Sequence, residues 1–174
     1  MHMNITLIGM AGVGKSVLGK ELAKRLRYEF VDVDCLIEER LGLTLQQIID
    51  RWGEDRFLEI EQEAVLGLNG AERTIISPGG SVIYSPRAMK FLKGHSKVVF
   101  LNAPIESIER RIPNQSTRGI IGIKGKKLKE LFYERAALYQ KYADVTIDIP
   151  DAFDQNSILA DIIQKLKLSQ NPPG

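Results

Sequence analysis

A glycine-rich segment near the start of the chain constrains the fold more than any other feature. Residues 9–16 read GMAGVGKS and match the pattern G-x4-G-K-[ST]. The segment follows the apolar run 5–8 and precedes a helical stripe formed by Leu18, Leu22 and Leu26. A strand, a glycine-rich loop and a helix in this order form a phosphate-binding loop. Its backbone N–H groups and helix N-terminus bind phosphate oxygens, so we predict that the chain binds a nucleoside triphosphate.

Two side chains of this loop carry the predicted chemistry. Lys15 would reach the β- and γ-phosphates, and the hydroxyl of Ser16 would ligate Mg²⁺. The alternative is a plain glycine turn between a strand and a helix. The chain therefore has a predicted catalytic cation at position 15 and a predicted metal ligand at position 16.

The rest of the chain alternates short apolar runs with helical stretches, which is typical of an α/β fold with a mainly parallel sheet. Five runs read as strands, at residues 5–8, 28–31, 74–76, 97–101 and 145–147. Two stretches do not fit the alternation. Residues from about 33 to 70 suggest an inserted substrate-binding region, and residues from about 112 to 125 suggest a lid over a site. Either stretch could instead be plain scaffold.

Composition excludes several classes of function. A chain of 174 residues forms one domain of ordinary size, here residues 1–174. The net charge of +2 gives no electrostatic reason to bind nucleic acid or an anionic membrane. The single cysteine excludes an internal disulfide and a cysteine-rich zinc module. We see no basic leader and no apolar run of about 18–20 residues, so we expect a cytoplasmic protein.

The acidic residues that follow the second predicted strand favour phosphoryl transfer to a small molecule. Asp32 would hold Mg²⁺ through water, and Asp34 would accept a hydrogen bond from the attacking hydroxyl of the substrate. The alternative is that Asp34 caps the next helix. The chain has no NKxD segment of a guanine-binding switch. The predicted strands that end at Ser77 and Leu101 lack the acidic pair of a motor ATPase.

Three arginines are candidates for stabilising the transferred charge or binding the acceptor. Arg111 follows the fourth strand and its helix, and Arg118 lies in the predicted lid, where it could close onto the triphosphate. For Arg118 the alternative is an ordinary solvated charge. Arg135 lies on a predicted helix at residues 126–142, one turn before Tyr139, and could bind an anionic acceptor.

Taken together, these residues resemble the shikimate kinase family over most of the chain. Six segments occur in the order and spacing of that family: GMAGVGKS, DVDCLIEE, GEDRFLEIE (53–61), SPGGS (77–81), RRIPNQSTRG (110–119) and ERAALYQKYAD (134–144). The resemblance implies a three-layer P-loop fold like that of nucleoside monophosphate kinases. This fold has a five-stranded parallel sheet of order 2-3-1-4-5 with helices on both faces. The resemblance also implies ATP, Mg²⁺, a shikimate-binding region and a lid.

The resemblance assigns roles to individual positions. It implies an ATP site at Gly12, Val13, Gly14, Lys15, Ser16, Val17, Arg111 and Arg118, and a metal site at Ser16 and Asp32. It implies an acceptor site at Asp34, Gly79, Gly80 and Arg135. Catalysis would then fall to Lys15, Asp34 and Arg118. We expect a monomer that acts on a small hydroxylated molecule, with no nucleic acid or membrane partner.

Four positions depart from the family pattern. Leu58 stands where the family has an arginine that binds the carboxylate of shikimate, and Arg56 should face away from that position on a helix. Ser81 replaces the third glycine of a triplet, Gly119 replaces a proline of the lid, and Val17 replaces a hydroxyl residue. Loss of one charge-assisted hydrogen bond weakens binding by about 1.5–3 kcal/mol. By resemblance, the default prediction is the ATP-dependent phosphorylation of shikimate to shikimate 3-phosphate. The alternatives are a kinase for another polyol or hydroxy acid and a non-catalytic nucleotide-binding module.

A nucleotide kinase is a less favoured reading of the same fold. The inserted region carries only the scattered cations Arg40, Arg51 and Arg56. An acceptor that itself bears a phosphate would normally meet several converging arginines.

Overall fold

The computed structural model describes residues 3–112, 120–122 and 126–168. Five strands within these residues form one sheet of order β2-β3-β1-β4-β5, and the pairing of every neighbouring strand is parallel. The strands are β1 (Asn4–Ile8), β2 (Glu29–Asp32), β3 (Thr74–Ser77), β4 (Ser96–Asn102) and β5 (Val145–Asp148). The predicted strand number, direction and order are confirmed.

Helices connect the strands and cover the sheet. They are α1 (Lys15–Leu26), α2 (Val33–Leu41), α3 (Leu45–Leu66), α4 (Pro86–His95), α5 (Ile105–Arg111), α6 (Leu128–Tyr142) and α7 (Gln155–Lys165). A short 3₁₀ helix, Val82–Tyr84, precedes α4. All five residues of β1 are buried, although successive side chains of a strand point to opposite faces. Both faces of the sheet are therefore covered, which explains the uninterrupted apolar runs in the sequence.

The inserted region between β2 and β3 consists of α2 and α3. A capping box begins α3, because the Thr44 side chain accepts from the Gln47 N–H and the Gln47 side chain accepts from the Thr44 N–H. Gly53 interrupts α3 with a φ of 84° and a ψ of 168°. A residue with a side chain rarely adopts this left-handed φ, so the glycine makes the break possible. The part of α3 after this break carries the buried apolar residues Phe57, Ala64 and Val65.

The ends of the strands place the candidate functional residues together. Because the sheet is parallel, the segments that follow β1, β2 and β3 emerge at the same edge. These segments are the glycine-rich loop, the Asp32–Asp34 region and residues 78–81. The helices in the described part of the chain include none with the length and hydrophobicity of a membrane-spanning segment.

Candidate active site

The glycine-rich loop lines a cavity of about 650 Å³ at this edge of the sheet. The loop ends at Gly14, which is the N-cap of α1 and puts no side chain between the helix N-terminus and the cavity. The first N–H groups of a helix have no partner within the helix, and the helix dipole makes this end attractive to anions. Five of the six predicted ATP-binding positions from Gly12 to Val17 line the cavity: Gly12, Gly14, Lys15, Ser16 and Val17. Val13 does not line it.

Lys15 lies along the loop rather than in solvent. Its Nζ donates hydrogen bonds to the carbonyl oxygens of Gly9 at 2.8 Å and Met10 at 3.0 Å. Burial lowers the pKa of Lys15 to about 8, and the negative charge of Asp34 partly offsets this effect. A triphosphate in the cavity would supply further negative charge and favour the protonated amine.

Ser16 and Asp32 form a hydrogen bond across the cavity floor. The Ser16 hydroxyl donates to Oδ2 of Asp32 at 2.6 Å, and Oδ1 of Asp32 accepts from the Cys35 N–H at 3.2 Å. Asp32 is therefore the N-cap of α2, so the alternative that Asp34 caps this helix is wrong. A hydroxyl and a carboxylate are oxygen donors that suit Mg²⁺, which retains most of its waters in protein sites. The pair fits the predicted metal site.

An aromatic residue that the sequence analysis missed completes the nucleotide cavity. Phe153, in the loop between β5 and α7, lines the same cavity, and a Cβ on Gly14 would lie 3.3 Å from its ring. The guanidinium of Arg111 stacks over its ring, with Cζ 5.2 Å from the centroid. Arg111 also approaches the carbonyl oxygens of Gly12 and Val13 at 3.4 Å. The exposed position of Phe153 in an irregular loop left no periodic signal in the sequence.

Asp34 faces a second, smaller cavity next to the first. Asp34, Gly79, Gly80 and Arg135 all line this second cavity, as predicted for the acceptor site. Asp34 also lines the nucleotide cavity, so it stands where the two cavities meet. Its Oδ1 is buried and has no hydrogen-bond partner among the described residues. Burial raises the pKa of Asp34 to about 6, against the opposing effect of Lys15.

Arg135 is a buried cation at the opposite wall of the acceptor cavity. It is 2% exposed, and its terminal nitrogen donates to the carbonyl oxygen of Ile121 at 2.6 Å. Its guanidinium packs over the Tyr84 ring, and its Nε has no partner among the described residues. Tyr139, one turn further along α6, donates to the carbonyl oxygen of Gly80 at 2.6 Å. A buried guanidinium with free donor capacity can bind a carboxylate.

Gly79 must be a glycine because two carboxyl groups approach it closely. A Cβ at this position would lie 2.6 Å from Oε1 of Glu61 and 2.7 Å from Oδ1 of Asp34. Glu61 is a buried residue of α3 that the sequence analysis did not assign to the site. Gly79 therefore lies close to two carboxyl groups, that of Asp34, which lines the second cavity, and that of Glu61, which is buried behind it.

Other predicted residues lie outside the site or outside the described residues. Arg118 and Gly119 are not among the described residues, so the role of Arg118 stays a prediction. Arg56 is exposed and pairs with Glu59 at 2.6 Å, which confirms that it faces away from the acceptor cavity. Leu58 is half-buried and packs against the hydrophobic core. Within the described ranges no group of three or more His, Cys, Asp or Glu residues could hold a metal ion.

Comparisons with known proteins agree on one family. The family model for shikimate kinase matches residues 11–167. The shikimate kinase of Francisella tularensis subsp. novicida is 35% identical over 158 residues, which cover 89% of this chain and 90% of that protein. The structure of shikimate kinase from Acinetobacter baumannii in complex with shikimate has a TM-score of 0.87 at 29% identity, over 95% of this chain and 93% of that one. Shikimate kinase from Aquifex aeolicus gives 0.79 at 30% identity, over 95% and 96%.

Proposed function

The chain belongs to the shikimate kinase family. We propose that it transfers the γ-phosphate of ATP to a hydroxyl group of shikimate. It is an ATP-dependent kinase of small molecules. The position of Asp34 carries the assignment of roles, because this carboxylate lines both the nucleotide cavity and the acceptor cavity. An acceptor hydroxyl that meets Asp34 lies next to the bound triphosphate.

The proposed reaction is an in-line displacement between the two cavities. The acceptor oxygen forms a bond to the γ-phosphorus while the bond to the β,γ-bridging oxygen breaks, and ADP is released. Asp34 accepts the hydrogen bond of the attacking hydroxyl and receives its proton. The backbone N–H groups of the loop and the ammonium of Lys15 stabilise the charge on the phosphate oxygens. Mg²⁺ bound through Ser16 and Asp32 would neutralise further charge on the triphosphate.

Arg135 is the proposed binding residue for the carboxylate of shikimate. It is buried, it lines the acceptor cavity, and it has an unpartnered Nε among the described residues. The complex of the related Acinetobacter baumannii enzyme with shikimate supports this choice of acceptor. Leu58 supplies no second cation, which is the observation that favours an uncharged polyol as the alternative acceptor.

A coupled assay of ADP release tests the proposed function. The purified protein with ATP and Mg²⁺ is tested with shikimate, quinate, gluconate and uncharged polyols. We expect shikimate to stimulate ADP release most strongly. Greater stimulation by another acceptor would establish a different substrate. Nucleotide binding without stimulation by any of them would establish a non-catalytic module.

The Asp34→Asn variant tests the role of the carboxylate in the same assay. We expect the turnover number to fall at least about a hundredfold, as is typical when a general base is lost, while ATP binding persists. Asp161→Asn is the matched control, because Asp161 forms an ion pair with Lys165 on the surface of α7. It should retain wild-type turnover. An unchanged turnover number in Asp34→Asn would remove Asp34 from its proposed role.

A further inference from the structure

Two of the departures from the family pattern meet at one buried carboxyl group. Glu61 is 1% exposed, and its Oε2 accepts a hydrogen bond from the hydroxyl of Ser81 at 2.8 Å. Ser81 is also buried, and it lies directly after Gly79 and Gly80 of the acceptor site. Leu58 lies one turn before Glu61 on α3 and carries no hydrogen-bonding group. Ser81 therefore supplies the contact that Leu58 cannot supply.

The second oxygen of Glu61 lies close to Gly79, which lines the acceptor cavity. Oε1 has no hydrogen-bond partner among the described residues, and it lies 2.6 Å from the position that a Cβ on Gly79 would occupy. Oδ1 of Asp34 lies 2.7 Å from the same position and is also unpartnered within the described part of the chain. Two unpartnered carboxyl oxygens thus flank Gly79.

The charges around Glu61 come from three helices. Lys15 of α1 and Arg135 of α6 are positive, Asp34 of α2 is negative, and Tyr139 of α6 is a neutral phenol. No ion pair joins Glu61 to a cation among the described residues, and its hydrogen bond is to a neutral hydroxyl. Burial, together with the nearby charge of Asp34, raises the pKa of Glu61 to about 8, although the hydrogen bond from Ser81 and the charges of Arg135 and Lys15 oppose this rise. A buried carboxyl group without a paired cation is more stable as the neutral acid than as the charged carboxylate.

We propose that Ser81 is a positioning residue that fixes the buried side chain of Glu61 beside Gly79 and Asp34, where Glu61 is an uncharged carboxylic acid, so that the acceptor site keeps its charge balance although Leu58 supplies no cation. Compared with the family pattern, this chain lacks one positive charge at position 58, and an uncharged Glu61 removes one negative charge at position 61. Asp34 then remains the one ionised carboxylate beside Gly79, and Arg135 remains available to the carboxylate of the acceptor. A substrate with a single negative charge is accommodated without a second arginine. This inference rests on the proposed function for the identity of the acceptor.

Carbon-13 NMR of the ligand-free protein, labelled at the glutamate side-chain carboxyl, tests the charge state without any assay of activity. The resonance of Glu61 is the one that disappears in Glu61→Gln. We expect it to have the chemical shift of a protonated carboxyl at neutral pH and to titrate near pH 8. In Leu58→Arg the new guanidinium should convert it to an ionised carboxylate at neutral pH. An ionised Glu61 in the wild-type protein at neutral pH would overturn the proposal.

Kinetics with shikimate test the positioning role. We expect Ser81→Ala to raise the KM for shikimate by about tenfold, the effect of one lost buried hydrogen bond, with little change in kcat or in the KM for ATP. Adding Leu58→Arg to Ser81→Ala should restore most of the affinity, because the guanidinium gives Glu61 a new partner. An unchanged KM in Ser81→Ala, or no rescue in the double variant, would contradict the role of Ser81. If wild-type protein does not phosphorylate shikimate, the proposed function fails, while the NMR titration still decides the state of Glu61.

Discussion

Ser16 and Asp32 are joined by a hydrogen bond of 2.6 Å, although Ser16 lies in the first turn of helix α1 and Asp32 ends strand β2. The bond places a hydroxyl oxygen and a carboxylate at the floor of the nucleotide cavity, next to the N-terminus of α1. Both groups are oxygen donors of the kind that Mg²⁺ prefers. We therefore expect the affinity of the enzyme for Mg²⁺ to depend on Asp32.

Asp32→Asn should raise the Mg²⁺ concentration for half-maximal activity by about tenfold or more, because the amide carries no negative charge. The measurement is a titration of activity with Mg²⁺ at saturating ATP and acceptor. The control is Asp148→Asn. Asp148 also ends a strand, β5, but accepts a hydrogen bond from Asn102 away from the cavity. Equal Mg²⁺ requirements in Asp32→Asn and the wild-type protein would exclude Asp32 from the metal site.

Phe153→Ala should raise the KM for ATP by about tenfold, because the cavity loses the ring over which Arg111 stacks. The KM for the acceptor should change little, since Phe153 lines only the nucleotide cavity of the two cavities described. Steady-state kinetics with each substrate varied in turn provide the measurement. Tyr133→Ala removes an exposed aromatic ring of α6 and is the matched control. A similar rise in both KM values would show that Phe153 does not act on the nucleotide alone.

Gly79→Ala should reduce kcat/KM for the acceptor by at least about tenfold, because its Cβ would lie within 3 Å of carboxyl oxygens of both Asp34 and Glu61. Gly94→Ala is the control, because a Cβ at Gly94 of α4 meets no atom within 4 Å. That substitution should leave kinetics unchanged and stabilise the protein by up to about 1 kcal/mol. If Gly79→Ala has the same kcat/KM for the acceptor as the wild-type protein, the predicted steric conflict with Asp34 and Glu61 does not affect the acceptor site.

Glu61→Gln should change how stability depends on pH. The folded protein raises the pKa of Glu61 from 4.5 to about 8, so between these values the folded state holds a proton that the unfolded state releases. The free energy of unfolding that Glu61 contributes therefore falls as pH rises through this window. In Glu61→Gln this fall should be smaller by an amount on the order of a few kcal/mol.

Urea unfolding at several pH values between about 5 and 8 measures this effect. Glu63→Gln is the matched control, because Glu63 lies on the same helix with an exposed side chain. The control should follow the wild-type pH dependence. If Glu61→Gln also follows it, Glu61 is ionised in the folded protein.

The middle of the sheet was predictable because β1, β3 and most of β4 are buried on both faces and so appear as largely apolar runs. The glycine-rich loop was predictable because a loop that binds phosphates through its backbone requires a fixed spacing of glycine, lysine and serine. Lys15, Asp34 and Arg135 were expected to converge, and the structure places them around adjoining cavities. These features depend on local sequence or on the order of strands.

Contacts between distant segments were not predictable in the same way. The meeting of Ser81 with Glu61 depends on how α3 packs against the segment after β3, twenty residues away in sequence. The approach of Phe153 to Gly14 depends on the path of an irregular loop. Neither contact has a periodicity or motif of its own, so only the packed structure reveals it.

The interruption of α3 at Gly53 divides the α3 residues that line the acceptor cavity between two helical pieces, one on each side of the break. Leu45 comes from the piece before the break, while Phe57 comes from the piece after it. The enzyme could thus reshape one half of the pocket through changes near Gly53 while leaving Phe57 and the neighbouring Glu61 in place. Variation in acceptor preference among similar chains would then be expected to concentrate in the first piece, without disturbing the nucleotide cavity.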